Sequence, residues 1–264
     1  MLIDTHCHLD AAEFSADLDA LVRSARAAGV AGIVVPAVDT TNFDAVRDCC
    51  RRYPKVFPAY GLHPLYLEHA GESDLDALRL WLAEEMGGPN PPVAVGEIGL
   101  DFYIPGYDAE RQEHFYHEQL KIARDLDLPV LLHVRRSVDG ILKGLRRFGV
   151  RRGIAHAFNG SRQQADEFIR LGFKLGFGGA MTYAGATRIR ELAANLPLES
   201  IVLETDAPDM PPAWLSGGRN DPGQLPEIAG VFAELRALPL SQVIDATSVN
   251  AVGVFARQEM ICLE

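Results

Sequence analysis

The sequence predicts an α/β fold: a single (β/α)8 TIM barrel with a metal centre at the C-terminal face of its strands. Three observations lead there. Eight short apolar runs alternate with amphipathic stretches along the whole chain, the pattern of parallel strands joined by right-handed helical crossovers. The length, 264 residues, suits one barrel of ~250 residues better than two ordinary domains. Histidines and carboxylates recur where the apolar runs end, and in a barrel all of those ends share one face. The alternative is an open doubly wound sheet. It is the weaker reading, because no glycine-rich phosphate loop follows an early strand. No linker or composition break divides the chain, so one domain is expected over 1–264.

Taken in order, Leu2-Ile3-Asp4-Thr5 reads as the first strand, followed by a helix over 15–29 with Ser15 as N-cap and Gly29 near its end. Ala31–Pro36 is the second strand, and a helix spans 41–53. Val56–Tyr60 is the third, running into Gly61-Leu62-His63-Pro64. A helix over 73–86, opened by Ser73 or Asp74, stops at the turn Gly87–Pro92. Val93–Gly96 is the fourth strand and continues into Glu97-Ile98-Gly99-Leu100-Asp101. After a long helix at 109–127, Pro129–Leu132 is the fifth strand and ends at His133. Helix 138–148 leads to Arg152–Ala155, the sixth, which ends at His156. Helix 161–171 leads to Phe173–Phe177, the seventh, and helix 185–195 to Ile201–Leu203, the eighth, which runs into Glu204-Thr205-Asp206. A Pro/Gly-rich loop over 207–224 and helices near 225–237 and 240–257 complete the chain.

Apolar residues make up 48% of the chain, enough for a large core, and charged residues 23% without a low-complexity tract, which argues against disorder. Cys7, Cys49, Cys50 and Cys262 show neither a C-x-x-C pair nor disulfide-like spacing, as expected in a reducing compartment. There is no secretory pattern and no apolar run of ~20 residues, so a cytoplasmic location with no membrane contact is expected. Nothing marks an obligate protein partner. The net charge of −11 argues against an extended duplex footprint. It leaves room for a short single strand or a chain end.

His6 and His8 are two residues apart, so in an extended segment both imidazoles point to one side. That is the disposition of a transition-metal site, although alone it fits a solvated histidine pair equally well. The strand ends add His63, Glu97, His133, His156 and Asp206. Even with His63 set aside, four histidines and two carboxylates exceed what one tetrahedral zinc with an open position needs. They suit two divalent cations bridged by a carboxylate. Mixed N/O ligation favours Zn²⁺ or Mn²⁺ over an all-oxygen Mg²⁺ site. Such a pair clamps an electrophile and makes hydroxide from water near neutral pH, so the reaction class is hydrolysis; no redox-cofactor motif and no G-x-S-x-G elbow is present.

The motifs Asp4-Thr5-His6-Cys7-His8-Leu9-Asp10, Gly61-Leu62-His63-Pro64, Gly96-Glu97-Ile98-Gly99-Leu100-Asp101, Leu132-His133, His156-Ala157-Phe158-Asn159-Gly160-Ser161, Glu204-Thr205-Asp206-Ala207-Pro208 and Arg219-Asn220-Asp221-Pro222 run through the whole chain. Together they resemble the TatD family of metal-dependent deoxyribonucleases in the amidohydrolase superfamily. The resemblance implies that His6, His8 and Asp206 hold one metal, His133 and His156 the other, and Glu97 bridges them. It implies catalytic roles for Asp206, which orients or deprotonates the attacking water, and for Glu97. It further implies two divalent ions (Zn, Mn or Mg) and cleavage of DNA phosphodiesters at ends or in short single strands, in the manner of a 3′–5′ exonuclease. Some relatives instead remove D-aminoacyl groups from transfer RNA. Val134 and Asn159 depart from the family's usual residues and bear on substrate preference.

Candidate substrate contacts are His63, Asp101, Arg135, Arg219 and Asn220. Arg135, read as lying in the loop above the barrel, suits a phosphate oxygen. Arg219-Asn220 lie after strand 8, where barrels often bind phosphate. His63 suits substrate contact or loop stabilisation, and Asp101 the orientation of a ligand or a bound water. Phe102, Tyr103 and Tyr183 suit base stacking or plain packing. The cluster Lys143, Arg146, Arg147, Arg151 and Arg152 is assigned to the opposite face and excluded from the site. Two other readings remain at this stage: a hydrolase of another ester or amide (a lactone, D-aminoacyl-tRNA or an acyl-nucleotide) on the same centre, and a non-catalytic metal-bearing scaffold.

Overall fold

The computed structural model describes residues 1–256 and Met260, so Cys262 lies outside the described residues. Strands β1 (Leu2–Asp4), β2 (Val30–Pro36), β3 (Val56–Tyr60), β4 (Ala94–Asp101), β5 (Val130–Arg135), β6 (Gly153–Ala155), β7 (Phe173–Phe177) and β8 (Ile201–Leu203) follow one another in space as in sequence. Each pairs parallel with the next. Helices α1 (Leu18–Ala27), α2 (Phe43–Arg52), α3 (Glu72–Glu85), α4 (Ala109–Asp125), α5 (Val138–Phe148), α6 (Arg162–Arg170) and α7 (Thr187–Asn195) form the crossovers. Helices α8 (Leu225–Arg236) and α9 (Leu240–Phe255) follow β8.

The β8–β1 seam is closed just beyond the strands. Thr5 donates its N–H to Leu203 O (3.2 Å), Asp206 to His6 O (2.8 Å) and His8 to Ala207 O (2.8 Å). The barrel is thus nearly closed, and its seam lies where the first and last candidate donors sit.

Two element boundaries differ from expectation for local reasons. Ser15 does not cap α1. Ala12–Phe14 form a 3-10 turn, the Ser15 hydroxyl donates back to Ala12 O (2.8 Å), and the helix begins only after Asp17. Helix α3 opens at Gly71, whose N–H donates to Asp74 Oδ2 (2.8 Å), so Asp74 serves three residues into the motif rather than at its head.

The apolar side chains sort into two cores. Ile3, Val34, Ala59, Ala94, Leu131, Ile154 and Val202 point into the barrel, where Val252 and Phe255 of α9 join them. Helix α9 is tied to the N-terminal end of the seam: Ser248 donates to Met1 O (2.7 Å), and Asn250 donates to Leu198 O (2.8 Å) and Ile201 O (2.7 Å). The larger core lies between the strands' outer faces and the helices, with Val95, Ile98, Leu132 and Leu175 meeting residues such as Phe115, Leu120 and Phe168. One end of the barrel is therefore plugged with hydrocarbon, and the C-terminal end is left for polar groups.

Strand β4 departs from simple alternation. Val95 pairs with Val130 and Ile98 with Leu132, so β4 carries one extra residue between them, a β-bulge. Val95 and Ile98 both face the helices. Strict alternation from Val95 would turn Glu97 outward as well; the bulge turns it into the barrel. Gly96 is required beside it, because a Cβ there would lie 2.6 Å from Leu131 Cβ. Gly99, with φ +150°, presses against β5 so closely that a Cβ would meet His133 O at 2.0 Å. Gly99→Ala is expected to destabilise the protein by at least ~3 kcal/mol, from backbone strain plus steric overlap. Urea denaturation checks this, and an unchanged midpoint would count against the close approach.

Candidate metal centre

Six of the predicted residues converge at the C-terminal mouth. His6 and His8 follow β1, and Asp206 follows β8 across the seam. Asp206 has φ 56°, a left-handed conformation that aspartate tolerates better than most residues. Glu97 projects from the bulge in β4, His133 lies within β5, and His156 follows β6. His6 and Glu97 are buried at 0% and 2% exposure, and His156 at 5%, so these donors are held well away from bulk water.

Glu97 divides this set. Its Oε2 faces His6 Nε2 at 3.0 Å and His8 Nε2 at 3.6 Å. Its Oε1 faces His133 Nδ1 at 2.9 Å, His156 Nε2 at 2.8 Å and His63 Nε2 at 3.4 Å. Asp206 Oδ1 stands on the Oε2 side, 3.6 Å from His6 Nε2 and 3.8 Å from His8 Nε2. Imidazoles thus stand on both sides of one carboxylate, His6 and His8 toward Oε2 and His133, His156 and His63 toward Oε1.

The electrostatics reflect crowding. Burial, with the charge of His156 adding to it, holds His6 down at about 3. Burial also opposes charge on His8 and His156, but Glu97 outweighs it and lifts them to about 9 and about 10. Burial works against the Glu97 anion, yet His156, His63 and His6 hold it well below the usual carboxylate range. Burial raises Asp206.

The donors fit cations. His6 Nε2 and His8 Nε2 stand 3.3 Å apart, both turned toward the same carboxylates. Such spacing between lone-pair atoms is that of ligands around an ion with bonds of roughly 2.1 Å. Among the described residues three groups bring one potential ligand atom from each member within 4.8 Å of the others: His6, His8 and Glu97; His6, His156 and Asp206; and, if the His63 ring proton is displaced, His63, Glu97 and His133.

His63 has a second task. Its Nδ1 accepts the Leu65 N–H (3.2 Å), which in the neutral ring leaves the proton on Nε2. Nε2 then points a donor at the centre, 3.1 Å from His133 Nδ1. Of the expected roles, loop stabilisation is seen in the Leu65 contact, and the Nε2–H faces the centre.

Around these donors lies a set of buried polar supports. Asp101, expected to contact substrate or orient a ligand, does the latter. It is fully buried, its Oδ2 meets His133 Nε2 at 2.9 Å, and its Oδ1 accepts the Tyr103 N–H at 2.9 Å. The substrate-contact role is withdrawn on that ground. Helix α4 contributes two buried glutamines that the sequence reading missed. Gln112 accepts from Asp101 N (2.8 Å) and donates to Asp101 O (3.1 Å). Gln119 does the same for Leu62 N (2.7 Å) and Leu62 O (3.0 Å). Their seven-residue spacing on a face carrying Phe115, Tyr116 and Ile122 was the available signal.

Asp4 and Glu204 were present in the quoted motifs but carried no assigned role. Asp4 binds Thr205 through its N–H (3.0 Å) and its hydroxyl (2.6 Å), fastening β8 to β1. Burial lifts it to about 7. Glu204 accepts the Ala157 N–H (2.5 Å) and stands 3.8 Å from His156 Nδ1; burial lifts it to about 8. Gly176 makes room for Glu204, since a Cβ there would lie 2.2 Å from Glu204 Oε2.

Other expectations are corrected. Asn220 is 0% exposed and spends its amide on Thr205 O and Asp209 O, both at 2.8 Å, so it shapes the loop and does not touch substrate. Arg219 is turned away: it forms a two-pronged pair with Asp17 (3.0 and 2.7 Å) and donates to Glu13 O (2.8 Å). Arg135 lies at the end of β5 rather than in a loop. Val134 packs against the outer core and Asn159 accepts from Arg188, at 3.1 and 2.7 Å, so neither is placed as a substrate contact. Tyr183 donates its hydroxyl to Pro211 O (3.0 Å). Phe102 stacks on Tyr107, with centroids 4.9 Å apart. In the excluded basic cluster, Arg146 pairs with Glu167 and Arg152 with Asp127. The cluster falls at the C-terminus of α5 and the start of β6, the end of the barrel opposite the site.

Comparison with known proteins gives the family and the fold. The family model described as TatD related DNase matches residues 3–256. The chain is 42% identical over 254 residues to the Escherichia coli K12 protein YjjV, described as an uncharacterised metal-dependent hydrolase, with 96% of this chain and 97% of that one covered. The crystal structure of YjjV superposes with a TM-score of 0.92, covering 97% of this chain and 98% of that chain. Human deoxyribonuclease TATDN3 is 31% identical, with 97% of this chain and 95% of that protein covered.

The contact of Asp101 with His133 Nε2 carries a prediction. Asp101→Asn, which keeps the shape but removes the charge that fixes the ring, is expected to weaken Mn²⁺ or Zn²⁺ binding ~10–100-fold. Titration of the metal-free protein measures this. Wild-type affinity in the variant would remove Asp101 from the site's support.

Proposed function

The chain belongs to the TatD related DNase family, a family of metal-dependent hydrolases, and from that premise we propose that it cleaves DNA phosphodiester bonds at strand ends or in short single strands. The observation that carries the proposal is the division of imidazoles between the two oxygens of Glu97. Under this reading His6, His8 and Asp206 hold one divalent ion, His133 and His156 hold a second, and Glu97 is shared. The ions are Zn²⁺ or Mn²⁺, given the nitrogen-rich donor set, with Mg²⁺ the poorer match. Cys7, Cys49 and Cys50 are free thiols, and all three are buried. They suit a reducing cytoplasm. Among the described residues no helix is long and apolar enough to cross a membrane.

When bound, the two cations supply charge neutralisation for the phosphoryl oxygens and acidify the attacking water. The chain's own groups do the rest. Asp206, half-turned to solvent at the rim of the donor set (13% side-chain exposure), orients the water and takes its proton. His63 presents its Nε2–H to a non-bridging phosphate oxygen. Asp101 fixes the His133 ring, and Gln112 and Gln119 fix the ends of β4 and β3 beside it. Arg135, at the mouth, offers a cation to the chain of the substrate. The net charge of −11 also favours a second reading, hydrolysis of another ester on the same centre, which a substrate panel at fixed metal separates from the first.

Asp206→Asn and His6→Ala are each expected to lower cleavage of end-labelled single-stranded DNA at least ~100-fold while the melting temperature of the metal-free protein holds. The assay uses metal-stripped protein with Mn²⁺, Zn²⁺, Mg²⁺ or none restored. Laddering from the 3′ end, lost in both variants, is the expected result; full activity in either purified variant would sink the proposal.

A further inference from the structure

Beside the metal centre, on the same rim, two consecutive arginines share one tyrosine. The guanidinium carbon of Arg135 lies 3.8 Å from the centroid of the Tyr103 ring, and that of Arg136 lies 4.5 Å from it. In a continued strand, residues 135 and 136 would point to opposite faces. Arg136 instead adopts φ 55°, a left-handed conformation uncommon for arginine, and this brings both side chains to the same ring. Tyr103 is 45% exposed, and both arginines are exposed.

From this stack we propose a phosphate subsite: Arg135 and Arg136, held together by Tyr103, take the phosphodiester next to the scissile one in a single-stranded nucleic acid. The proposal rests on the nuclease reading above.

Three observations support it. First, among the described residues neither guanidinium has an ion-pair partner, whereas Arg51, Arg146 and Arg219 are paired with Glu85, Glu167 and Asp17. The nearby acid, Asp101, has its two oxygens committed to His133 and the Tyr103 N–H. In a chain of net charge −11, two adjacent cations at the active mouth, facing only the already engaged carboxylate of Asp101, favour an anion. Second, stacking through the guanidinium face leaves the N–H edges free, and these match phosphate oxygens two at a time.

Third, the placement fits. Arg135 follows His133 by two residues on β5, roughly 7 Å along the strand and on the same face. Asp101, opposite Arg135 in register, links His133 to Tyr103 through its two oxygens. The stack therefore sits about one nucleotide's reach from the donors, fixed to them through a single buried carboxylate.

The test compares two substrates in the metal-loaded enzyme. One is an end-labelled oligothymidylate; the other is bis(p-nitrophenyl) phosphate, which is too small to span from the centre to the stack. In Arg136→Ala, the ratio of kcat/KM for the oligonucleotide to that for the small diester is expected to fall about ten-fold. The slope of log binding against log salt is expected to flatten by ~0.7, the loss of one phosphate contact on a single strand. Tyr103→Ala should behave alike and Tyr103→Phe should restore the ratio, since the ring and not the hydroxyl holds the arginines. An unchanged ratio in Arg136→Ala, whether the two activities fall together or hold, overturns the subsite while leaving the nuclease reading intact. Wild-type enzyme that hydrolyses the small diester but not the oligonucleotide overturns both.

Discussion

Glu97 can receive five imidazoles only because β4 carries one residue more than its neighbour between Val95 and Ile98. Remove that residue's worth of chain and alternation sends the carboxylate into the apolar layer beneath the helices, where an ion would cost several kcal/mol without partners. With the bulge, the same carboxylate becomes the point about which the first, third, fourth, fifth and sixth strand ends are arranged. Gly96 and Gly99 follow from this geometry: each lies where a Cβ would strike β5. Backbone and electrostatics are thus coupled, because the strand irregularity that weakens the β4–β5 ladder locally is what assembles the charge pattern.

Imidazoles packed this tightly need bracing, and the braces are buried amides and acids rather than hydrocarbon. Gln112 and Gln119 each satisfy both backbone groups of a strand-end residue, at Asp101 and Leu62. Asp4 ties Thr205 across the seam. Each is an interaction whose loss would leave a buried polar group unmet, so the rim is rigid although it is built from loops. Rigidity matters to the chemistry proposed, since charge stabilisation depends on donors already standing where charge will develop. Hydrocarbon filling at the other end, with Val252 and Phe255 of α9 among the inward residues, confines this polar work to one mouth.

The sequence carried the scaffold and the donors unevenly from the periphery. Strand positions were legible because apolar runs such as Val56–Tyr60 and Phe173–Phe177 are bounded by turns. The donors were legible because each stands at the end of such a run, where topology alone forces convergence. Contacts made by loops were not. Arg219 and Asn220 lie in the loop after β8, and nothing in their local sequence says that Asp17 and two backbone carbonyls will claim them. The supports at Gln112 and Gln119 are side chains whose value depends on which backbone atoms face them, a tertiary fact. The left-handed turn at Arg136 is likewise invisible in composition, and with it the convergence of two arginines on Tyr103.

Charge resolves the apparent conflict between an acidic protein and an anionic substrate. Attraction between exposed groups is screened beyond roughly 8 Å at physiological salt, so the net charge of −11 bears on distant encounter more than on contact at the mouth. At contact, Glu97 and Asp206 are carboxylates that the proposed cations neutralise, and Asp101 is engaged with His133. Near the donors Arg135 and Arg136 are exposed cations, although the exposed carboxylate of Asp209 also lies within electrostatic reach of Asp206. Under the proposed reading, contact with substrate therefore depends on the groups at this mouth, Arg135 and Arg136 among them, more than on the net charge.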